Sequence, residues 1–187
     1  KMILVTSAIE HEGKTTFASQ LAASIARSGK RTLLVDGDLR HPNVHLALGL
    51  DLRAGLPELL RGEIAPDEAV QPTGVEGLFA ITGGNCDYAA ITALGRPETL
   101  PLIKGFRDSF DQVVIDAGPV LAFADVLILG QQSDVAILAA MRDVSRVPQI
   151  AAAMDKLRGV GVRVLGAVVN GVDDTAARRK YNSPLAG

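Results

Sequence analysis

Ser7-Ala8-Ile9-Glu10-His11-Glu12-Gly13-Lys14-Thr15-Thr16 sets a glycine, a lysine and two hydroxyls in a row behind the apolar run ILVT. Such a loop, opening a helix, surrounds an anion with backbone N–H groups. Lys14 adds charge at the β- and γ-phosphates, and the Thr15 hydroxyl is suited to Mg2+. Read as a phosphate loop for ATP, its cofactor contacts are Glu12, Gly13, Lys14, Thr15 and Thr16. The first position of G-x-x-x-x-G-K-[ST] is Ala8, whose methyl is tolerable if its φ stays negative. Glu10 and Glu12 repel phosphate, so both side chains are expected to point outward.

A phosphate loop that does chemistry also needs acids to hold the metal and to orient or deprotonate a nucleophile. Asp36 and Asp38 in LLVDGDLRHP, and Asp116 ending QVVID, each follow an apolar run. If those runs are neighbouring strands, three carboxylates surround one nucleotide-bound metal. Spacing alone leaves open which acid is base and which is metal partner.

The elements that must position these groups are legible as alternating patterns. Met2 to Thr6, Thr32 to Val35, Gln112 to Ile115, Val135 to Ala139 and Val162 to Val169 are apolar on consecutive positions, as in strands covered on both faces; Leu78 to Ile81 is a weaker sixth. Between them, Phe17, Leu21 and Ile25 recur at helical spacing and stop at Gly29, and Arg146 to Leu157 reads likewise before Gly159. Gly55 to Asn85 is expected to be short helices and loops. The pattern predicts an α/β, P-loop NTPase-like three-layer sandwich, with a mostly parallel central sheet flanked by helices and ligands at the carboxyl ends of the strands.

The chain has 187 residues, 48% hydrophobic and 21% charged, which suits one domain over 1–187 with a flexible tail over 176–187. A first residue other than Met suggests a piece cut from a longer chain. The net charge of −2 gives no reason to expect a nucleic-acid partner. Cys86 is the single cysteine, so a reducing compartment is expected. His41 and His45 have the spacing of one helix face but no third ligand beside them. Tyr88, among apolar neighbours, is expected to be packed.

Together these motifs resemble the bacterial tyrosine kinases that regulate export of capsular and extracellular polysaccharide. The resemblance is carried by SAIEHEGKTT, LLVDGDLRHP, VVIDAGPVL with Asp125 following, VLGAVVNGV, and GLPELLRG, and it spans almost the whole chain. It implies an ATP- and Mg2+-dependent protein-tyrosine (auto)kinase. Lys14 would contact phosphates; Thr15 would bind the metal, with Asp38 and Asp116 acting on it through water. Asp36 would be the best candidate to take the tyrosine proton, Arg40 would position phosphate or substrate, and Asn170 would hydrogen-bond the adenine. The partners implied are ATP/ADP, a membrane-embedded polysaccharide co-polymerase or activator segment, and possible further copies in a homo-oligomer. The place implied is cytoplasmic, at the inner face of the cell membrane.

The sequence also departs from that family. Two prolines usually follow the third-motif aspartate, whereas Asp116-Ala117-Gly118-Pro119 stands here and is expected to loosen the loop near the metal. Gly83 to Leu94 is unlike the family's usual segment. The family's terminal tyrosine cluster is reduced to one phosphoacceptor candidate, Tyr181, beside Arg178-Arg179-Lys180. That thin acceptor supply keeps a second function in view, a nucleotide-binding regulatory module. A partitioning-type ATPase is disfavoured, because its signature lysine falls where this chain has Ile9.

Overall fold

A computed structural model describes residues 1–172 of the chain. Tyr181 and the basic run before it lie outside the described residues. Seven strands form one sheet: β1 (Met2–Ser7), β2 (Thr32–Gly37), β3 (Gln71–Pro72), β4 (Leu78–Ile81), β5 (Gln112–Pro119), β6 (Val135–Met141) and β7 (Val164–Asn170). Their spatial order is β3-β4-β2-β5-β1-β6-β7. All neighbours are parallel except the short edge strand β3, which runs antiparallel to β4. No helix of the described residues is long and apolar enough to cross a membrane.

Helix α1 (Lys14–Arg27) lies on one face of the sheet, over Val5, Leu34 and Val114. Its deepest residues are Ala18, Ala22 and Ala26, while Phe17, Leu21 and Ile25 are only partly buried. The helical period is as predicted, but the stripe that meets the strands is the small one, which lets α1 sit close to the sheet; the larger side chains seal its flank. The helix ends as expected at Gly29, whose φ of 84° suits a residue without a Cβ.

The other face carries the larger core, with Leu4, Leu33, Val113, Ile115 and Leu138 buried there. It is covered by α6 (Thr99–Ser109), α7 (Asp125–Gln131) and α8 (Val147–Gly159). Gly159 proves to be the last residue of α8; the left-handed position that ends it is Gly161, φ 84°.

The segment Gly55 to Asn85 contains the helices α3 (Leu56–Leu60) and α4 (Pro66–Ala69) together with β3 and β4. Glu58 organises it. One carboxylate oxygen accepts the Gly55 N–H at 2.7 Å and the other accepts the Asn85 N–H at 2.8 Å, with Arg61 beside it at 3.4 Å. These bonds hold the Glu58 carboxyl below the usual range, even though burial acts the other way and is the largest single influence.

The remaining helices are α2 (Val44–Leu48) and α5 (Tyr88–Ala93). His41 precedes α2 and only His45 lies in it, so the two do not share a helix face. Tyr88, expected to be packed, is 83% exposed at the start of α5. Its apolar neighbours mislead because Ala90 and Ala93 alone supply the buried face of that short helix.

Candidate active site

Strand β1 delivers the loop Ala8–Gly13 directly to the start of α1, so the loop's N–H groups and the positive helix end share one place. Ala8 is fully buried and is not among the positive-φ residues, as its methyl requires. Gly13 has φ 78°, and a Cβ there would lie 2.7 Å from Asn170 Nδ2. Its neighbour His11 also has positive φ, 63°, an uncommon conformation for a side chain with a Cβ.

The two loop glutamates behave differently. Glu10 is exposed, as expected. Glu12 is turned inward and only 1% exposed. Its carboxylate accepts the Ile9 N–H at 2.8 Å and the hydroxyl of Ser145, a residue of the turn after β6. The expected outward orientation fails because the loop and that turn together supply hydrogen bonds that water would otherwise give.

The acids converge because β5 lies between β1 and β2. Asp36 and Asp116 are register partners on adjacent parallel strands. Lys14 Nζ lies 2.9 Å from Asp38 Oδ2. Asp36 is fully buried; one oxygen accepts the Val44 N–H at 2.9 Å and the other has no partner among the described residues. Burial, then the charges of Asp116 and Asp38, push its pKa up to about 8 against the Val44 bond.

Asp116 is fully buried too, and neither oxygen accepts a well-formed hydrogen bond among the described residues. Burial, with the charge of Asp38, raises it to about 7, although the Thr15 hydroxyl and Lys14 pull it down. Beside the Asp36 carboxyl, the main chain of Gly83 packs directly on Pro42. A Cβ on Gly83 would sit 2.1 Å from Pro42 Cβ and 3.4 Å from the Asp36 carboxyl carbon.

The third-motif departure does not loosen this region. Ala117 to Pro119 continue β5, the Thr6 hydroxyl donates to the Gly118 carbonyl at 2.6 Å, and the Val120 N–H donates to Ser7 O at 2.8 Å. Gly118 allows the close fit: a Cβ there would lie 3.1 Å from Phe123 and 3.4 Å from Asp38 Oδ1.

Arg40 is tethered. Its Nη1 donates to both oxygens of Asp125, at 2.9 and 2.7 Å, and its guanidinium lies 4.2 Å from the centre of the Phe123 ring. Asp125, at the start of α7, had only its place after the third motif to mark it. Asn170 reaches the loop: its Nδ2 donates to Glu12 O at 2.9 Å and to Gly13 O at 3.4 Å. Ser145 carries no motif and was not legible as a site residue.

The residues fit Mg2+ in one specific way. Among the described residues no three acidic, histidine or cysteine side chains close on a single point, so the three-carboxylate cage expected from the sequence is not formed. Asp36 is drawn off by Val44 instead. Mg2+ keeps several waters and takes one or two carboxylates plus substrate phosphates. Asp116, a buried carboxylate without hydrogen-bond partners among the described residues, beside the Thr15 hydroxyl suits that donor set.

Residues 3–186 match the model of the CobQ/CobB/MinD/ParA nucleotide binding domain. The tyrosine-protein kinase YwqD of Bacillus subtilis is 34% identical over 171 residues, which is 91% of this chain and 72% of that protein. The tyrosine-protein kinase etk of Escherichia coli is 30% identical over 91% of this chain, but the chain spans only 24% of its length. The solved kinase domain of that protein superposes with a TM-score of 0.87, covering 91% of this chain and 67% of the solved one. The septum site-determining protein MinD from Pyrococcus horikoshii, complexed with Mg-ADP, superposes at 0.76 with 26% identity, covering 96% and 76%. The kinases are thus nearer in fold than MinD, in keeping with Ile9 where a division-site ATPase has lysine. Shared motifs, a shared sheet and this degree of identity place the chain in the CobQ/CobB/MinD/ParA nucleotide-binding family and, within it, among the bacterial tyrosine-protein kinases.

Proposed function

We propose that this domain transfers the γ-phosphoryl group of ATP to tyrosine hydroxyls of proteins, in a system that regulates extracellular polysaccharide synthesis or export. The observation that supports it most is Asp116, a buried acid without hydrogen-bond partners among the described residues, next to Lys14, Thr15 and the register partner Asp36. Bound Mg-ATP supplies the phosphoryl group and a cation that neutralises charge on its oxygens.

The chain's own residues then divide the work. Thr15, Asp38 and Asp116 hold the metal, directly or through water. Lys14 exchanges its partner Asp38 for phosphate oxygens. Asp36 accepts the tyrosine proton; its pKa, raised by burial, would be lowered beside bound Mg2+, which would leave a carboxylate that is charged yet still basic. Arg40, fixed by Asp125 over Phe123, orients the acceptor side. With Asn170 Nδ2 given to the loop, its Oδ1 remains to accept from the exocyclic amine of adenine. Tyr181 is the tail acceptor, and the exposed Tyr88 is a second tyrosine within reach of another molecule. The partners proposed are a membrane-embedded polysaccharide co-polymerase or activator segment and further copies of the chain, at the inner face of the cell membrane.

The test is to incubate the domain, with and without an activator segment, with Mg-ATP and map phosphotyrosine by mass spectrometry. Label on Tyr181, Tyr88 or a supplied tyrosine substrate is expected, and Lys14→Met abolishes it. Steady ATP hydrolysis with no phosphotyrosine would establish the regulatory-module or ATPase reading in its place.

A further inference from the structure

Glu12 is held at both of its ends by the edge of the sheet beyond β1. Its side chain accepts the Ser145 hydroxyl from the turn after β6, and its main-chain carbonyl accepts Asn170 Nδ2 from the end of β7. The turn and the strand end are themselves joined, because the Arg142 N–H donates to Asn170 O at 2.9 Å. Ser145 is in turn oriented by the Met141 N–H, which donates to its hydroxyl oxygen at 2.7 Å, so the hydroxyl hydrogen is left for Glu12. A continuous chain of hydrogen bonds runs from Met141 through Ser145 and Glu12 to Ile9.

The described residues contain two positive-φ positions other than glycine, and they lie at the two ends of this contact. His11 is next to Glu12 in the phosphate loop, and Asp143, φ 64°, is two residues before Ser145 in the turn. Such conformations persist only where the surroundings hold them. Without the contact, the buried Glu12 carboxylate would lose a partner and the loop would lose its only side-chain tie to that turn among the described residues.

We infer that Ser145 is a positioning residue for the nucleotide, acting through Glu12. It holds the phosphate loop in its anion-binding shape before ligand arrives, and it keeps the Glu12 charge turned away from the phosphates. The inference rests on the loop holding a nucleotide, but not on where the phosphoryl group goes.

Ser145→Ala, Ser145→Thr and Glu12→Ala are compared by amide hydrogen exchange without nucleotide and by Mg-ATP binding calorimetry. Ser145→Ala should speed exchange at residues 9–13 by about threefold to tenfold and weaken Mg-ATP binding to a similar degree. The exchange change should be confined to the loop and the turn. Ser145→Thr should restore both, and the double variant Glu12→Ala/Ser145→Ala should be no worse than Glu12→Ala alone. Unchanged loop exchange in Ser145→Ala, or fully additive losses in the double variant, overturns the inference. If the wild type itself binds no Mg-ATP, the nucleotide reading fails, while the exchange data still decide whether the clamp exists.

Discussion

Glu58 and Asp116 are both shielded carboxylates near the carboxyl ends of strands, and they have opposite surroundings. Glu58 meets two backbone N–H groups and a guanidinium, and its carboxyl is held low. Asp116 meets no well-formed donor among the described residues and is pushed up to about 7. The first is spent entirely on joining α3 to the chain after β4. The second, when charged, carries a cost in the folded state that a proton or an incoming cation removes. A buried acid with both oxygens hydrogen-bonded builds the fold, whereas one left without partners is available to a ligand.

This contrast can be broken most sharply by exchanging each acid for a neutral residue. Asp116→Asn should lower phosphotransfer by about 100-fold or more, since it removes charge stabilisation where the site is driest, and yet should raise the melting temperature of the ligand-free domain at pH 8. A kinase assay beside a thermal melt reads both; lost activity together with lost stability would mean that Asp116 is structural after all.

Glu58→Ala should do the reverse. It strands two backbone N–H groups and frees Arg61, for a loss of about 2–4 kcal/mol in urea unfolding. Mg-ATP affinity, measured well below the unfolding midpoint, should change far less than in Asp116→Asn.

The pH profile tests the same contrast with no substitution at all. Asp36 and Asp116 have folded pKa values above the unfolded one, so the folded state binds more protons between about 4 and 8. The stability they contribute is present at low pH and is lost as pH rises through about 7 to 8. Melts of the metal- and nucleotide-free protein at pH 5.5 and 8.5 should therefore show a decline, by an initial slope of up to about 1.4 kcal/mol per unit for each group. Asp36→Asn and Asp116→Asn should each flatten it; a profile indifferent to both changes would show that their burial carries no such cost.

Much of the fold was legible because strands buried on both faces must be apolar at consecutive positions, and four of the five runs read that way became the largely buried β1, β2, β5 and β6, whereas the fifth became the edge strand β7, whose half-buried and exposed residues alternate instead of being covered on both faces. Asp36, Asp38 and Asp116 were legible for the same reason, since polar residues at the ends of such runs have one edge of the sheet to occupy, and Lys14 was legible from the phosphate-loop motif. What was not legible depends on distant chain. The inward turn of Glu12 needs Ser145, which is 133 positions away. Arg40 is fixed by Asp125, 85 positions away. The alanine stripe of α1 and the exposed Tyr88 were obscured because hydrophobicity and helical period say nothing of how near a helix lies to its neighbours.

The bare backbone at Gly83 has a consequence for Asp36. Since main chain itself presses on Pro42 beside the Asp36 carboxyl, any side chain at position 83 would have to push Pro42 away. In the ligand-free domain the proton affinity of Asp36 therefore owes as much to a close main-chain fit as to the charges beside it.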